Sequence, residues 1–242
     1  DASLVIEKCL EVVDTLFSNA GGGAPLLYSQ SGGTVSTSGI YTYILWNASG
    51  SFTITGGNRD IEWFQLAGGG SGGKSNAWGS SSGGGGAGGA QSHTVTNMAS
   101  EVHTITVGAG GAANLPPTTP NWIKGNNGSA TTLSPASGGA ITVAGGGGGG
   151  GYGNWPVAVA GSNGGCGGGG GASGYFGSGA GGTASGPIGN AGGNAYYASI
   201  SAMVSGGGGG GLGAVGQNGN SVSPGWPANN YDANGGNGGA GS

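Results

Sequence analysis

Apolar positions recur at two spacings in the first third of the chain. In residues 3–18 (SLVIEKCLEVVDTLFS), Ile6, Cys9, Val13 and Leu16 fall at the a/d spacing of a helix seam, and Leu10 and Phe17 widen the stripe. This predicts one short helix. Ser3 is a candidate N-cap, but no Glu stands three residues on, so no capping box forms. Two heptads alone are marginal in water. The stripe therefore needs a cover: a coiled coil joining protomers, or the surface of its own domain or of a neighbouring protein. Gly21–Gly23 and Pro25 end the helix. Beyond them the pattern turns strand-like at Leu26–Ser29, Ile40–Trp46 and Ser51–Thr55, with turns at Gly32–Gly33 and Asn47–Gly50. Asn58–Asp60 is a further turn, and Ile61–Leu66 (IEWFQL) alternates as a strand. Ser92–Thr96 and Val102–Val107 read as two short strands of one hairpin.

From residue 68 onward most of the chain is neither pattern. Glycine runs fill Gly68–Gly73, Gly83–Gly89, Gly145–Gly151, Gly164–Gly171 and Gly206–Gly211, each broken at most once. Glycine loses more backbone entropy on folding than any other residue, and ordering costs roughly 1–2 kcal/mol per residue. Such runs are either disordered or built into something that needs glycine at nearly every position. Polyproline-II geometry, three residues per turn with no internal hydrogen bonds, meets that need when several segments pack side by side and pair their backbone groups. A flexible linker would be Gly/Ser with few large apolar residues. Here Trp78, Trp122, Trp155 and Trp226 stand between runs, and strand-like stretches feed directly into them. The expected fold class is mostly β and irregular. It comprises a short N-terminal helix, small antiparallel β-sheets, and a bundle of packed polyglycine-II helices joined by loops. The expected divisions are an N-terminal helix over 1–24, a β-rich connecting region over 25–66, and the glycine-rich bundle over 67–242.

Composition narrows the function. Charged residues make up 5% of 242 and the net charge is −4, so there is no basic patch and no case for nucleic acid. No apolar stretch is long enough for a membrane helix, and no basic n-region marks a signal peptide. Cys9 and Cys166 do not suggest a disulfide framework. His93 and His103 sit on the predicted hairpin, but a metal site needs more ligands at helpful spacing, so both read as solvated strand histidines. Asp60 and Glu62 lack the cleft geometry of a paired-carboxylate hydrolase, and Arg59 beside them neutralises them. No Gly-x-Ser-x-Gly elbow occurs. Patterns such as G-x-G-x-x-G arise from composition alone, without a βαβ context. No cofactor and no enzymatic activity are expected.

The order Ser51–Thr55, a turn, Ile61–Leu66 and Ala67–Gly70 resembles the start of the glycine-rich domain of bacteriophage tail fibres and receptor-binding adhesins. Thr106–Gly111 (TVGAGG), Asn126–Ser129 and Ile141–Gly146 continue the resemblance over residues 50–151. The resemblance implies a polyglycine bundle capped by a small sheet, with loops at the free end touching a host-surface receptor. If each run travels away from the strands or back to them, the loops hold Trp78, Trp122, Tyr152, Trp155, Trp226 and Tyr231 at the far end, while Tyr175 and Phe176 stay near the sheet. Aromatic loops with few charges suit a glycan or an outer-membrane protein. The expectation is a virion tail-fibre or tail-tip adhesin acting outside the cell without catalysis. It would contact other tail proteins and associate as a homotrimer through Ile6, Cys9, Val13 and Leu16. Two other readings stand beside it. One is a subunit of an extracellular structural filament. The other is an ice-binding glycine-rich protein, which would need a flat face of regular G-x-x triplets that the irregular runs lack.

Overall fold

The computed structural model describes residues 27–39, 41–55, 57–75, 80–113, 122–136, 138–151, 158–173, 177–198, 203–221, 233–234 and 238–240. Among them there is no helix, and the fold is all-β with small antiparallel sheets. The expected bundle of polyglycine-II helices is therefore corrected. The runs are extended segments whose hydrogen bonds go to other runs, as described below. The helix expected over residues 3–18, with Ile6, Cys9, Val13 and Leu16, lies outside the described residues. The chain divides into two compact units, one of residues 1–65, 91–107 and 131–142, the other of 66–90, 108–130 and 143–242.

The first unit is built on side chains. Its strands are β1 (Leu27–Ser38), β2 (Tyr41–Thr55), β3 (Arg59–Leu66), β4 (Ala90–Met98), β5 (Val102–Thr106), β6 (Thr131–Pro135) and β7 (Ile141–Val143). A five-stranded sheet runs in the order β1-β2-β5-β6-β7, and β3 pairs with β4. The core gathers Ile44, Phe52 and Ile54 of β2, Ile61 and Trp63 of β3, Met98 of β4, Ile105 of β5 and Leu133 of β6. Period-2 alternation explains the choice: in β3 the residues Ile61, Trp63 and Gln65 are buried and the positions between them are not. Gln65 is itself buried, and its side-chain oxygen, in the orientation that its neighbours' donors require, accepts from Leu133 N at 3.0 Å and Trp63 Nε1 at 3.3 Å. Buried polar groups need such partners.

Two predicted turns are strand. β1 and β2 form one long hairpin turning at Gly39, whose φ of 59° is left-handed. The Gly32–Gly33 turn signal becomes a bulge between Ser31 and Gly33. Gln30 seals it, accepting from Gly33 N and donating to Gly33 O at 2.8 and 2.9 Å. Asn47–Gly50 continues β2. The hairpin expected from Ser92–Thr96 and Val102–Val107 does not form either. β4 pairs with β3, while β5 joins the other sheet between β2 and β6.

The second unit is built on backbone. Its bonds repeat every three residues: Ala67, Gly70 and Gly73 donate to the carbonyls of Gly89, Gly86 and Gly83, an antiparallel lane. Gly83, Gly86 and Gly89 donate in turn to Gly150, Gly147 and Ala144. Run 164–171 is bonded on all sides. Cys166 and Gly169 donate to Ala87 and Gly84, Gly167 and Gly170 to Asn190 and Gly193, Gly168 and Gly171 to Ser162 and Val159. Its carbonyls accept from Gly147, Gly150, Gly179, Gly182, Gly207 and Gly210. An α-helix satisfies its backbone within one segment; these runs satisfy it between segments, and no helix is present among the described residues. The same closeness explains the composition. A Cβ on Gly169 would overlap the Gly207 carbonyl oxygen, whereas one on Gly72, at the periphery, would clear its nearest atom by 3.6 Å.

Candidate functional site

The short strands of the second unit gather at one end of the glycine lanes. Lys74–Ser75 pairs with Trp122–Ile123. Ser80–Ser81 pairs with Ala172–Ser173, which pairs with Gly177–Ser178. Tyr196–Ala198 pairs with Met203–Ser205, and Asn220–Ser221 with Ala233–Asn234. These pairs neighbour one another: Ser80–Ser81 lies against Lys74–Ser75 and Met203–Ser205, which in turn lies against Asn220–Ser221. They are the bases of the segments 76–79, 174–176, 199–202 and 222–232. Segment 114–121 enters through Trp122 and segment 152–157 follows Gly151, whose position is fixed beside Ile123 and Lys74.

Serine hydroxyls tie the bases together. Ser75 Oγ shares a short hydrogen bond with Ser80 Oγ. Ser81 Oγ accepts from Gly206 N at 2.7 Å, and Ser205 Oγ donates to Asn220 O at 3.2 Å. The sequence of the second unit, residues 66–90, 108–130 and 143–242, has only three charged residues: Lys74, Lys124 and Asp232. Lys74 stands opposite Ile123 in the strand pair, so it sits beside Lys124. The two lysines of this unit are thus placed at its loop-bearing end.

A family model for a glycine-rich domain matches residues 46–242. The chain belongs to the glycine-rich domain family. No curated protein and no solved structure matches it.

Of the residues expected to bind a receptor, this glycine-rich domain fixes the backbone of Trp122 opposite Ser75. Trp78, Tyr152, Trp155, Trp226 and Tyr231 lie outside the described residues, Trp78, Trp226 and Tyr231 in segments whose bases are the strands above and Tyr152 and Trp155 in the segment after Gly151. Tyr175 and Phe176, expected near the sheet, lie outside the described residues. Their segment springs from the hairpin Ala172–Ser173/Gly177–Ser178, paired with Ser80–Ser81 at the same end as the segment holding Trp78. The missed step is a reversal inside 161–165. Segment 159–162 runs antiparallel to 168–171, as Gly168 N to Ser162 O and Gly171 N to Val159 O record. Asn163-Gly164 was the turn signal for it.

The remaining candidate chemistry is structural. His103 is not solvated: it is buried, its Nε2 lies 3.0 Å from Ala99 O, its ring packs on Phe52 at 6.4 Å, and its Nδ1 has no partner among the described residues. His93 lies on β4, in the other sheet, so the two do not share a hairpin. Burial lowers the His93 pKa below its ordinary 6.5. Asp60 Oδ1 accepts from Asn97 N at 2.7 Å, holding Asn97 at a φ of 55°, while Arg59 donates to Asn58 O at 3.0 Å. Cys166 is fully buried in the central run, and burial pushes its thiol pKa up against a weaker pull from an Asn190 backbone hydrogen bond. A protonated, inaccessible thiol is a packing group, not a nucleophile.

Proposed function

We propose that the chain is a phage tail-fibre or tail-tip adhesin, located in the virion, that binds a host-surface glycan or outer-membrane protein through the loops of its glycine unit. One observation supports this reading above the others: strand bases from distant parts of the sequence meet at one end. The segments they carry hold Trp78, Trp226 and Tyr231, Trp122 stands at the edge of a base, and Tyr152 and Trp155 follow Gly151 beside Ile123. Large rings give contact area at low entropic cost, and loops vary without disturbing the scaffold that carries them. The mechanism is adhesion without bond making or breaking.

The test is adsorption of the purified chain to intact bacterial cells, beside a variant with Trp78, Trp122, Trp155 and Trp226 all replaced by Ala. The reading expects the wild type to bind a host strain. It expects the variant to lose most of that binding while its circular dichroism is unchanged. A folded variant that binds as well as the wild type would remove the loops from the account.

A further inference from the structure

We propose that the outer edge of β1 is an interaction surface for a second copy of this chain, joined by strand addition into one continuous sheet. β1 ends the five-stranded sheet, and along Thr34–Ser38 its outward backbone row has no strand beside it among the described residues. Such a row is a template for pairing, and proteins normally blunt it with charge, proline, a bulge or a very short strand. The opposite edge is blunted by length, since β7 has three residues. β1 has twelve. Residues 27–58 contain no Asp, Glu, Lys, Arg or Pro. The single β1–β2 bulge is plugged: Gln30 takes up Gly33 N and O, and Trp46 Nε1 donates to Ser31 O at 3.0 Å. The stretch past the bulge is left regular and open.

Side chains point the same way. Val35 lies opposite Ile44, on the core face of the hairpin. Ile44 is 8% exposed, but Val35, with no strand on its outer side among the described residues, is 42% exposed. A strand added there would extend the core over Val35. The occupant that fits is β1 of another copy. Antiparallel pairing about a two-fold axis near Val35 sets the same neutral row against itself and keeps both core faces on one side of the sheet. Backbone bonds supply affinity in this mode, and an uncharged Ser/Thr/Val strand brings no like charges together. The sequence offers a different route to association in the N-terminal stripe of Ile6, Cys9, Val13 and Leu16, which lies outside the described residues.

The experiment is the mass of the full chain in solution over a wide concentration range, for wild type, Val35→Lys, Ser36→Lys and Leu16→Lys. Circular dichroism checks each fold. The proposal expects the wild type to reach the mass of two chains. Val35→Lys and Ser36→Lys should halve it, and Leu16→Lys should leave it unchanged. Amides of residues 34–38 should also gain protection from exchange as wild-type concentration rises. A wild type that stays at one chain throughout overturns it. So does association that survives both β1 variants and is lost only in Leu16→Lys.

Discussion

Phe52 and Gly169 are both deeply buried, for opposite reasons. Phe52 fills space in the strand unit, with Tyr28 and Trp46 rings 5.9 and 6.0 Å away and the aliphatic groups of Ile54, Ile105 and Leu133 in the same core. Gly169 is buried because other backbones come so close that no side chain fits. The strand unit is held by apolar surface removed from water. In the glycine unit the described interior is almost bare of apolar side chains, and order comes from backbone groups paired between runs at every third residue. Each glycine ordered costs conformational entropy, so the lanes hold only as a set. A strand core can lose a methylene and relax, but a lane has nothing to trim.

The sharpest way to break this comparison is to add one methyl group. Gly169→Ala places a Cβ on the Gly207 carbonyl and is expected to cost about 3 kcal/mol or more in chemical unfolding, at the top of the overpacking range. Gly72→Ala, with open space around it, should stay within about 0.5 kcal/mol of wild type. Equal effects at the two positions would end the lane account. Next in size is Phe52→Ala, expected to cost about 3 kcal/mol as a cavity in the strand core. Its signature is a loss of near-ultraviolet aromatic dichroism, since Trp46 and Trp63 line that core.

The smallest effect is a pH slope in the strand unit. Burial lowers the folded-state pKa of His93, so between that value and the ordinary 6.5 the unfolded chain binds more protons. Stability is therefore full above pH 6.5 and declines as the pH falls below it. His93→Asn should flatten the decline in melting temperature over that window, and an unchanged slope would assign it to other groups.

The strands that alternate strictly were legible in sequence. Ile61, Trp63 and Gln65 follow from IEWFQL, and Ser51–Thr55 falls inside β2. Partner choice was not legible. Ser92–Thr96 and Val102–Val107 are close in sequence and look like a hairpin, yet burying Met98 and Ile105 in one core draws their strands into different sheets. Gly32–Gly33 and Asn47–Gly50 carry turn residues, but a bulge and a continuous strand absorb them. In the glycine unit, side-by-side pairing followed from the need to satisfy every buried backbone group. Calling the runs helices did not, since the described residues form extended segments and small sheets with no helix. The gathering of loop bases was partly legible from counting runs out and back. The count failed where Asn163-Gly164 hides a reversal inside one glycine-rich stretch, which brings Ala172–Ser173 beside Ser80–Ser81.

The most direct test of the account is amide hydrogen exchange of the glycine runs in the intact chain, read by residue-resolved mass spectrometry. If backbone pairing holds the glycine unit, amides 166–171 in the central run should exchange far more slowly than those of Gly110 and Ala112 at the periphery. They should open together, in one cooperative step with the rest of the unit. Exchange of 166–171 at the rate of an unstructured glycine peptide would contradict it, because among the described residues no apolar side-chain cluster holds these runs in any other way.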